Sequence, residues 1–208
     1  MAMRTLEFPI GEIGRLVTGR TPSSDEPWLF GADHPFITPS DISDDFDYVD
    51  PSRRLSRQGA IRFEGSLLPP NAVCFSLTGT IGKMCLTSEL SMTNQQITSV
   101  VVDETRHDFR YFFHVLRISR DRIRQMASGV KVPTINKTAF SAIRVPMPSL
   151  ETQAAVASIL GPYDGLLENA RKRAIVSRQS RDLLIRELLE SASQSRRALQ
   201  RFTSRMHL

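Results

Sequence analysis

The chain has 208 residues and a formal net charge of +5, and hydrophobic residues make up 40% of it. These values predict a hydrophobic core and enough chain for one globular domain with an appendage. No segment reaches the roughly 18 consecutive apolar residues of a membrane helix, and the first residues lack the apolar region of a secretory signal.

The charge is unevenly distributed along the chain. Residues 1–170 contain 17 Lys and Arg against 19 Asp and Glu, whereas residues 171–208 contain ten against three, a net charge of +7. Basic helical segments bind nucleic acid, acidic protein surfaces or anionic membranes. The two cysteines, Cys74 and Cys85, lie in apolar segments. We expect buried free thiols rather than a disulfide, and therefore a reducing, cytoplasmic location.

Residues 1–148 predict one mixed domain, in which short strands alternate with turn-forming segments. Residues 72–77 alternate large and small side chains as a strand buried on both faces does, and residues 98–102 form a β-branched run. A helix is predicted from Asp108 to Ala127, with Gly129 ending it. Its predicted apolar face consists of Phe109, Phe112, Phe113, Leu116, Ile123 and Met126. Its opposite face is rich in arginine, which predicts either a solvated surface or a ridge that binds phosphates.

Motifs for catalysis are missing from the sequence. Residues 79–83 resemble a phosphate-binding loop, but Leu77 replaces its first glycine and Met84 its Ser or Thr. The histidines have no metal-ligand spacing. We interpret the aspartates between residues 41 and 50 as turn formers rather than metal ligands. The sequence therefore favours a binding module over an enzyme.

The composition changes at residues 146–149, and only helical sequence follows. Ser149 is placed as an N-cap, and Pro162 predicts a kink or a break, with a second helix beginning there as one alternative. A helix from Tyr163 to Arg201 would be on the order of 60 Å long. Its narrow apolar stripe needs a second long helix as a partner, and this chain has none to offer. We predict an α+β fold: a mixed α/β domain over residues 1–148, followed by a coiled-coil-like helical region over residues 149–208.

Six segments, in order, resemble the target-recognition half of Type I restriction–modification specificity subunits. They are residues 16–23 (Leu-Val-Thr-Gly-Arg-Thr-Pro-Ser), 35–42 (Pro-Phe-Ile-Thr-Pro-Ser-Asp-Ile), 68–83 (Leu-Pro-Pro-Asn-Ala-Val through Thr-Gly-Thr-Ile-Gly-Lys), 93–97 (Thr-Asn-Gln-Gln-Ile), 132–137 (Val-Pro-Thr-Ile-Asn-Lys) and 143–160 (beginning Ile-Arg-Val-Pro-Met-Pro). This resemblance implies a target-recognition domain that binds double-stranded DNA and reads one half of a bipartite target. It also implies a helical spacer that docks methyltransferase (modification) subunits, with a restriction or translocase subunit as a further partner.

The resemblance also implies that the chain has no catalytic residue, metal or cofactor of its own. S-adenosylmethionine and ATP are expected only on the partner subunits. A usual family member has two recognition domains and two helices, whereas this chain has one of each. We therefore expect a homodimer that pairs through residues 150–205. The residues predicted to form its interface are Val156, Leu160, Tyr163, Leu167, Leu184 and Leu188. Two alternatives remain: a coiled-coil adaptor of a DNA-modifying complex, and a recognition domain detached from a methyltransferase or nuclease.

Hydroxyl and basic side chains in turn segments are the candidate DNA contacts. Those assigned to the phosphate backbone are Arg20, Thr21, Ser23, Thr78, Thr80, Lys83 and Lys131, and Lys137 is a further candidate DNA contact. Those assigned to base readout are Arg53, Arg54 and Arg57. The alternatives are a plain turn after Arg20 and a tight hairpin at Gly79 and Gly82. The amides at residues 94–96 either read adenine or make structural hydrogen bonds, and we favour the structural role.

Overall fold

The structure, a computed structural model, describes residues 6–129 and 132–205, with side chains as far as residue 190. It divides into two compact units, the first ending at Pro162 and the second beginning at Tyr163. Its strands are β1 Leu6–Pro9, β2 Gly14–Thr18, β3 Phe30–Gly31, β4 His34–Ile37, β5 Arg54–Leu55, β6 Val73–Ser76, β7 Met84–Leu86, β8 Met92–Thr93, β9 Ile97–Val102 and β10 Arg144–Met147. Its helices are α1 Ile10–Ile13, α2 Arg57–Arg62, α3 Phe109–Arg124, α4 Lys137–Ala142 and α5 Leu150–Arg205, with 3₁₀ turns at Pro27–Leu29 and Glu64–Ser66.

The strands form three sheets within the described part of the first unit. One is antiparallel with the order β2-β9-β6-β7, so β2 is an edge strand. The second has the order β3-β5-β4-β8 with β4 and β8 parallel, and the third pairs β1 with β10. Both predicted strands are confirmed, and every residue of β6 is buried as its alternation predicted. Short strands in separate sheets, together with helices, confirm the α+β fold class.

The main core forms where α3 and α4 pack with the antiparallel sheet. Phe75 of β6, Phe112 and Phe113 of α3 and Phe140 of α4 belong to one buried cluster. The rings of Phe75 and Phe140 lie 5.2 Å apart. Burying each such side chain contributes about 1.5–3 kcal/mol, so this cluster fixes α3 and α4 against the sheet. Cys74 and Cys85 occupy paired positions of β6 and β7 and are buried and free, as predicted.

Helix α3 begins and ends close to the predicted positions. The Asp108 carboxylate accepts a hydrogen bond from the Tyr111 amide at 2.8 Å, which makes Asp108 the N-cap. The apolar face was predicted correctly for Phe112, Phe113, Leu116 and Ile123, which are buried, and Phe109 is half-buried. The prediction was wrong for Met126, which is half exposed because the helix ends at Arg124 and no longer orients it toward the core.

Helix α5 begins at Leu150, directly after Ser149, and continues without interruption through Pro162. The alternative of a second helix starting at Pro162 is therefore wrong. A proline inside a helix removes one backbone hydrogen bond and costs about 3 kcal/mol, which the many other hydrogen bonds of a 56-residue helix outweigh. The domain boundary placed between residues 148 and 149 remains a prediction. None of the described helices is both long and apolar enough to cross a membrane.

Candidate nucleic-acid interface

A groove on the first unit brings together positively charged side chains from separate segments. We call it the basic groove, and it has a volume of about 480 Å³. The residues that line it are Arg15, Leu16, Val17, Thr18, Gly19, Arg20, Gly65, Ser66 and Lys137. Three of these side chains are cationic and none is acidic. Clefts lined by one sign of charge concentrate the field and attract counter-charged ligands, so this groove favours a polyanion.

The edge strand β2 explains how the groove is built. Among the strands of the described residues, β2 pairs with β9 alone, so the backbone groups along its outer edge can accept other partners. The Nζ atom of Lys137, the first residue of α4, donates a hydrogen bond to the carbonyl oxygen of Leu16 at 3.0 Å. This contact holds α4 beside the strand. Arg15 is exposed on β2, and this residue was missed by sequence reasoning.

The turn after β2 places Arg20 among the residues that line the basic groove, five positions after Arg15. The amide of Gly19 donates to Ile97, and the amide of Arg20 donates to Thr93 at 2.9 Å. A Cβ atom on Gly19 would lie 2.2 Å from the Thr93 carbonyl oxygen, so only glycine fits this close approach. Arg20 is exposed, and none of the hydrogen bonds or ion pairs of the described residues involves its guanidinium. The structure therefore brings two predicted residues, Arg20 and Lys137, to one groove.

The other predicted residues of the segment after Arg20 make local contacts. Thr21 donates its hydroxyl hydrogen to the Oε1 atom of Gln95. Ser23 accepts a hydrogen bond from the Asp25 amide at 3.2 Å, as in a serine turn. Both residues are exposed and do not line the basic groove.

The loop between β6 and β7 has the geometry of a tight hairpin. Gly79 and Gly82 have φ angles of +72° and +86°, the left-handed region that favours glycine. The Nζ atom of Lys83 donates to the Pro39 carbonyl oxygen at 2.7 Å, which ties the loop to a neighbouring turn. Thr78 forms a bridge with Thr134 and is half-buried. Thr80 is exposed, and none of the three predicted residues of this loop lines the basic groove.

The three arginines assigned to base readout have different surroundings. Arg54 pairs with Asp50 at 3.2 Å and with Glu89 at 2.6 Å, which uses both ends of its guanidinium. Arg53 is exposed, and its guanidinium lies 4.2 Å from the centre of the Phe30 ring. Arg57 is 86% exposed and is 3.4 Å from the nearest Asp33 oxygen. Arg53 and Arg57 are thus the accessible members of the predicted set.

Two arginines of the arginine-rich face of α3 pair with the aspartate-rich loop. Arg117 forms an ion pair with Asp47, and Arg120 forms one with Asp44. Arg124 donates to the Ile81 carbonyl oxygen at 2.8 Å. We call Arg117, Arg120 and Arg124 the acid-paired row, because Arg124 also pairs with Asp121 of its own helix. The row matches neither sequence interpretation, because it connects α3 to loops of the domain.

Two further predictions concern polar segments. The Asn94 amide donates to the Oε1 atom of Gln96 at 2.9 Å, and its own oxygen accepts from the Gln96 backbone amide. This confirms the structural role favoured for that pair.

Lys131 lies outside the described residues. Among the described residues, no group of three or more His, Cys, Asp or Glu side chains is arranged to hold a metal ion.

The residues predicted to form a helical interface lie on α5. Val156 and Leu160 belong to the first unit and are half-buried. Four belong to the second unit and are exposed by 53–69%, namely Tyr163, Leu167, Leu184 and Leu188. Large apolar side chains in such a row are typical of a surface that pairs with another helix.

Comparison with known proteins gives a consistent family. The profile described as "Type I restriction modification DNA specificity domain" matches residues 5–176. The Type I restriction enzyme HindI specificity subunit of Haemophilus influenzae is 30% identical over 86% of this chain and 40% of its own length. The MjaIX specificity subunit of Methanocaldococcus jannaschii is 25% identical over 79% of this chain and 39% of its own. The chain thus spans about 40% of the length of these relatives.

A solved structure shares the fold. The S subunit of the Type I restriction–modification system from M. genitalium superposes with a TM-score of 0.64 and 18% identity, over 86% of this chain and 44% of that one. The fold is therefore that of the specificity subunits, and the family profile covers most of the sequence. The chain belongs to the Type I restriction modification DNA specificity domain family.

Proposed function

We propose that the chain recognises double-stranded DNA as the specificity component of a Type I restriction–modification complex. The observation that carries this proposal is the basic groove, in which Arg15, Arg20 and Lys137 meet without an acidic side chain among the lining residues. Lysine and arginine side chains that neutralise phosphates supply most of the sequence-independent affinity for DNA. The relatives named as specificity subunits support the same function.

Base readout is assigned to the accessible arginines outside the groove. The Arg53 guanidinium lies over the Phe30 ring at 4.2 Å and over the Phe36 ring at 5.3 Å from its centre, two cation–π contacts that hold the side chain in place. A guanidinium held against rings can still donate from its N–H groups, and these match the two acceptors of guanine in the major groove. Arg57 is the second candidate because its side chain is 86% exposed, although it also pairs with Asp33 at 3.4 Å.

The catalytic chemistry is assigned to partner subunits. In this proposal, modification subunits dock on α5 and use S-adenosylmethionine, and a restriction subunit uses ATP. The chain alone then neither methylates nor cleaves DNA. Methyl transfer by the highly purified chain, measured with labelled S-adenosylmethionine, would contradict the assignment.

A homodimer through residues 150–205 supplies the second half-site reader. Two copies related by two-fold symmetry would present their recognition domains to an inverted repeat, so the target would be an interrupted palindrome. The exposed apolar row on α5 supports this pairing, since each buried side chain contributes about 1.5–3 kcal/mol. Light scattering should give a dimer for the full chain and a monomer, or at least tenfold weaker association, for Leu184→Glu. Gln179→Glu, which adds the same charge to the helix outside the row, should remain dimeric.

DNA binding is tested by gel shifts on random duplexes at two salt concentrations, followed by selection of the tightest sequences. We expect a salt-sensitive shift on every duplex and a salt-resistant one on a selected set. Arg20→Ala should weaken binding to all sequences alike, whereas Arg53→Ala should change the selected sequence. If neither concentration gives a shift, the function as a DNA reader is wrong and the adaptor is favoured.

A further inference from the structure

A second pocket lies where the chain enters α5, within the first unit. We call it the junction pocket; it has a volume of about 360 Å³ and shares no lining residue with the basic groove. Its apolar wall includes Leu6 and Phe8 of β1 and Met147 of β10. Pockets of this size hold small ligands or single side chains when a few polar groups fix their orientation. The ionisable side chains that line this pocket are those of Arg106 and His107.

His107 lines the junction pocket, and its imidazole ring has no hydrogen-bond partner among the described residues. Its side chain is 3% exposed, and neither Nδ1 nor Nε2 is paired. Its ring packs edge-on against Phe8, with ring centres 5.5 Å apart. Buried polar atoms are nearly always paired in folded proteins, so an unpaired ring that lines a pocket points to a ligand. A neutral imidazole has one N–H donor and one acceptor nitrogen, and a carboxylate ligand would pair with the donor. Burial lowers the pKa of His107, and the Arg106 charge lowers it further while Asp103 opposes the change.

The polar end of the pocket is positive. Arg106 lines it, is exposed, and makes no side-chain hydrogen bond or ion pair that the described residues show. Leu150, the first residue of α5, lines it as well. The first turn of a helix has free backbone N–H groups and partial positive charge, which attract anions. Five acidic residues lie within three positions of the lining residues along the chain, and none of them lines the pocket: Glu7, Asp103, Glu104, Asp108 and Glu151.

We propose that the junction pocket binds a carboxylate that carries a branched or aromatic apolar group. Arg106 and His107 pair with the carboxylate, and Leu6, Phe8 and Met147 contact the apolar group. This chemistry occurs at the C-terminal residue of a peptide and in free short-chain acids. The proposal is independent of DNA recognition, because it uses other residues.

The test is an NMR titration of the full chain, with the histidine rings labelled. The probes are N-acetyl-L-leucine, its uncharged amide and 4-methylpentanoate. We expect the His107 signal to shift with saturation at a dissociation constant on the order of 1 mM, as suits a small ligand. The amide should bind at least about tenfold more weakly, because it lacks the charge that Arg106 pairs with. Tighter binding of N-acetyl-L-leucine than of 4-methylpentanoate identifies a peptide terminus, and the reverse identifies a free acid.

Variants separate this site from a structural role of His107. Arg106→Gln and His107→Phe should each weaken the acid about tenfold or more, and Arg62→Gln, a loss of charge outside the pocket, should not. His107→Phe also identifies the ring signal, and an unchanged or higher melting temperature shows that it folds. For that variant, binding is followed through backbone amides of the pocket. The proposal is overturned if the amide binds as tightly as the acid, if His107→Phe keeps full affinity, or if no signal shift saturates.

Discussion

Two arginine-rich regions of the first unit differ in what surrounds them. In the acid-paired row, Arg117 and Arg120 each have an aspartate partner from a distant loop. In the basic groove, Arg15, Arg20 and Lys137 meet with no acidic side chain in the lining. The row therefore contributes little field to the surface, whereas the charges of the groove add to each other. The number of arginines in a segment therefore does not determine the charge of its surface, because paired arginines contribute little to it, and we propose the groove with unpaired cations as the DNA surface.

Removing the charges of the groove should give the largest effect. Changing Arg15, Arg20 and Lys137 together to Gln should lower affinity for random duplex DNA by about 100-fold or more at low salt. The slope of log affinity against log salt should fall by about 2 to 3, because about three phosphate contacts are lost. Gel shifts across a salt series measure both quantities. The control changes Arg62, Arg106 and Arg110 to Gln, which removes the same charge elsewhere; an equal loss in that variant would refute the assignment.

Breaking the acid-paired row should affect stability rather than DNA binding. Arg117→Gln leaves the Asp47 carboxylate, whose side chain is only 18% exposed, without its partner. We expect unfolding free energy to fall by about 1–2 kcal/mol, since a half-buried charge loses its ion pair. Chemical denaturation measures this change. DNA affinity below the unfolding transition should stay within twofold of the parent, and a loss as large as that of the groove variant would mean that the row binds DNA.

These two regions also show which features of the fold and of the candidate site can be predicted from the sequence. Local patterns sufficed for β6, β9 and the start of α3 near Asp108, because strand alternation and helical periodicity involve neighbouring residues. The six ordered segments were enough to identify the family. The pairing of Arg117 with Asp47 was out of reach, because the partners lie 70 positions apart and many aspartates are available.

The groove was predicted only in part, for a related reason. Arg20 and Lys137 were selected for their residue type and turn context, but no pattern places them together. Their meeting depends on the free edge of β2, where Lys137 reaches the Leu16 carbonyl oxygen. Arg15 gave no usable signal, because alternation places it on the same face of β2 as the buried Val17, whereas the structure exposes it. His107 left no signal, because an isolated histidine has no recognisable spacing.

An acidic side chain introduced into the basic groove should offset part of its positive charge, as the aspartates do in the acid-paired row. Thr18 is exposed on β2 and lines the groove. Thr18→Asp should reduce affinity for random duplexes about five- to tenfold at low salt, because one negative charge offsets one of the three cations. In the control Thr18→Asn, the new side chain has nearly the same shape as Asp but no charge. This variant should bind random duplexes as tightly as the parent does. Equal weakening by both variants would indicate loss of the Thr18 hydroxyl, which contacts Thr98 at 3.2 Å, rather than an electrostatic effect.

Removing the partner of one arginine in the acid-paired row should give the smallest change in DNA affinity, and this change should be an increase. Asp44 is 71% exposed in its pair with Arg120, so the pair contributes little to folding. Asp44→Asn should therefore change the unfolding free energy by less than about 0.5 kcal/mol. It should also raise affinity for random duplexes about twofold at low salt, since Arg120 then adds its charge to the field around the domain.

The control for this last variant is Glu104→Gln, which makes the same change in net charge at an exposed turn outside the row. Fluorescence anisotropy with a short labelled duplex resolves a twofold difference, and the difference should vanish as salt screens the added charge. If Glu104→Gln raises affinity equally, net charge alone explains the gain and the pairing of Arg120 is irrelevant to DNA binding. If only Asp44→Asn raises it, the aspartates of this loop restrict DNA binding to the basic groove, because each acid cancels an arginine that would otherwise attract phosphate.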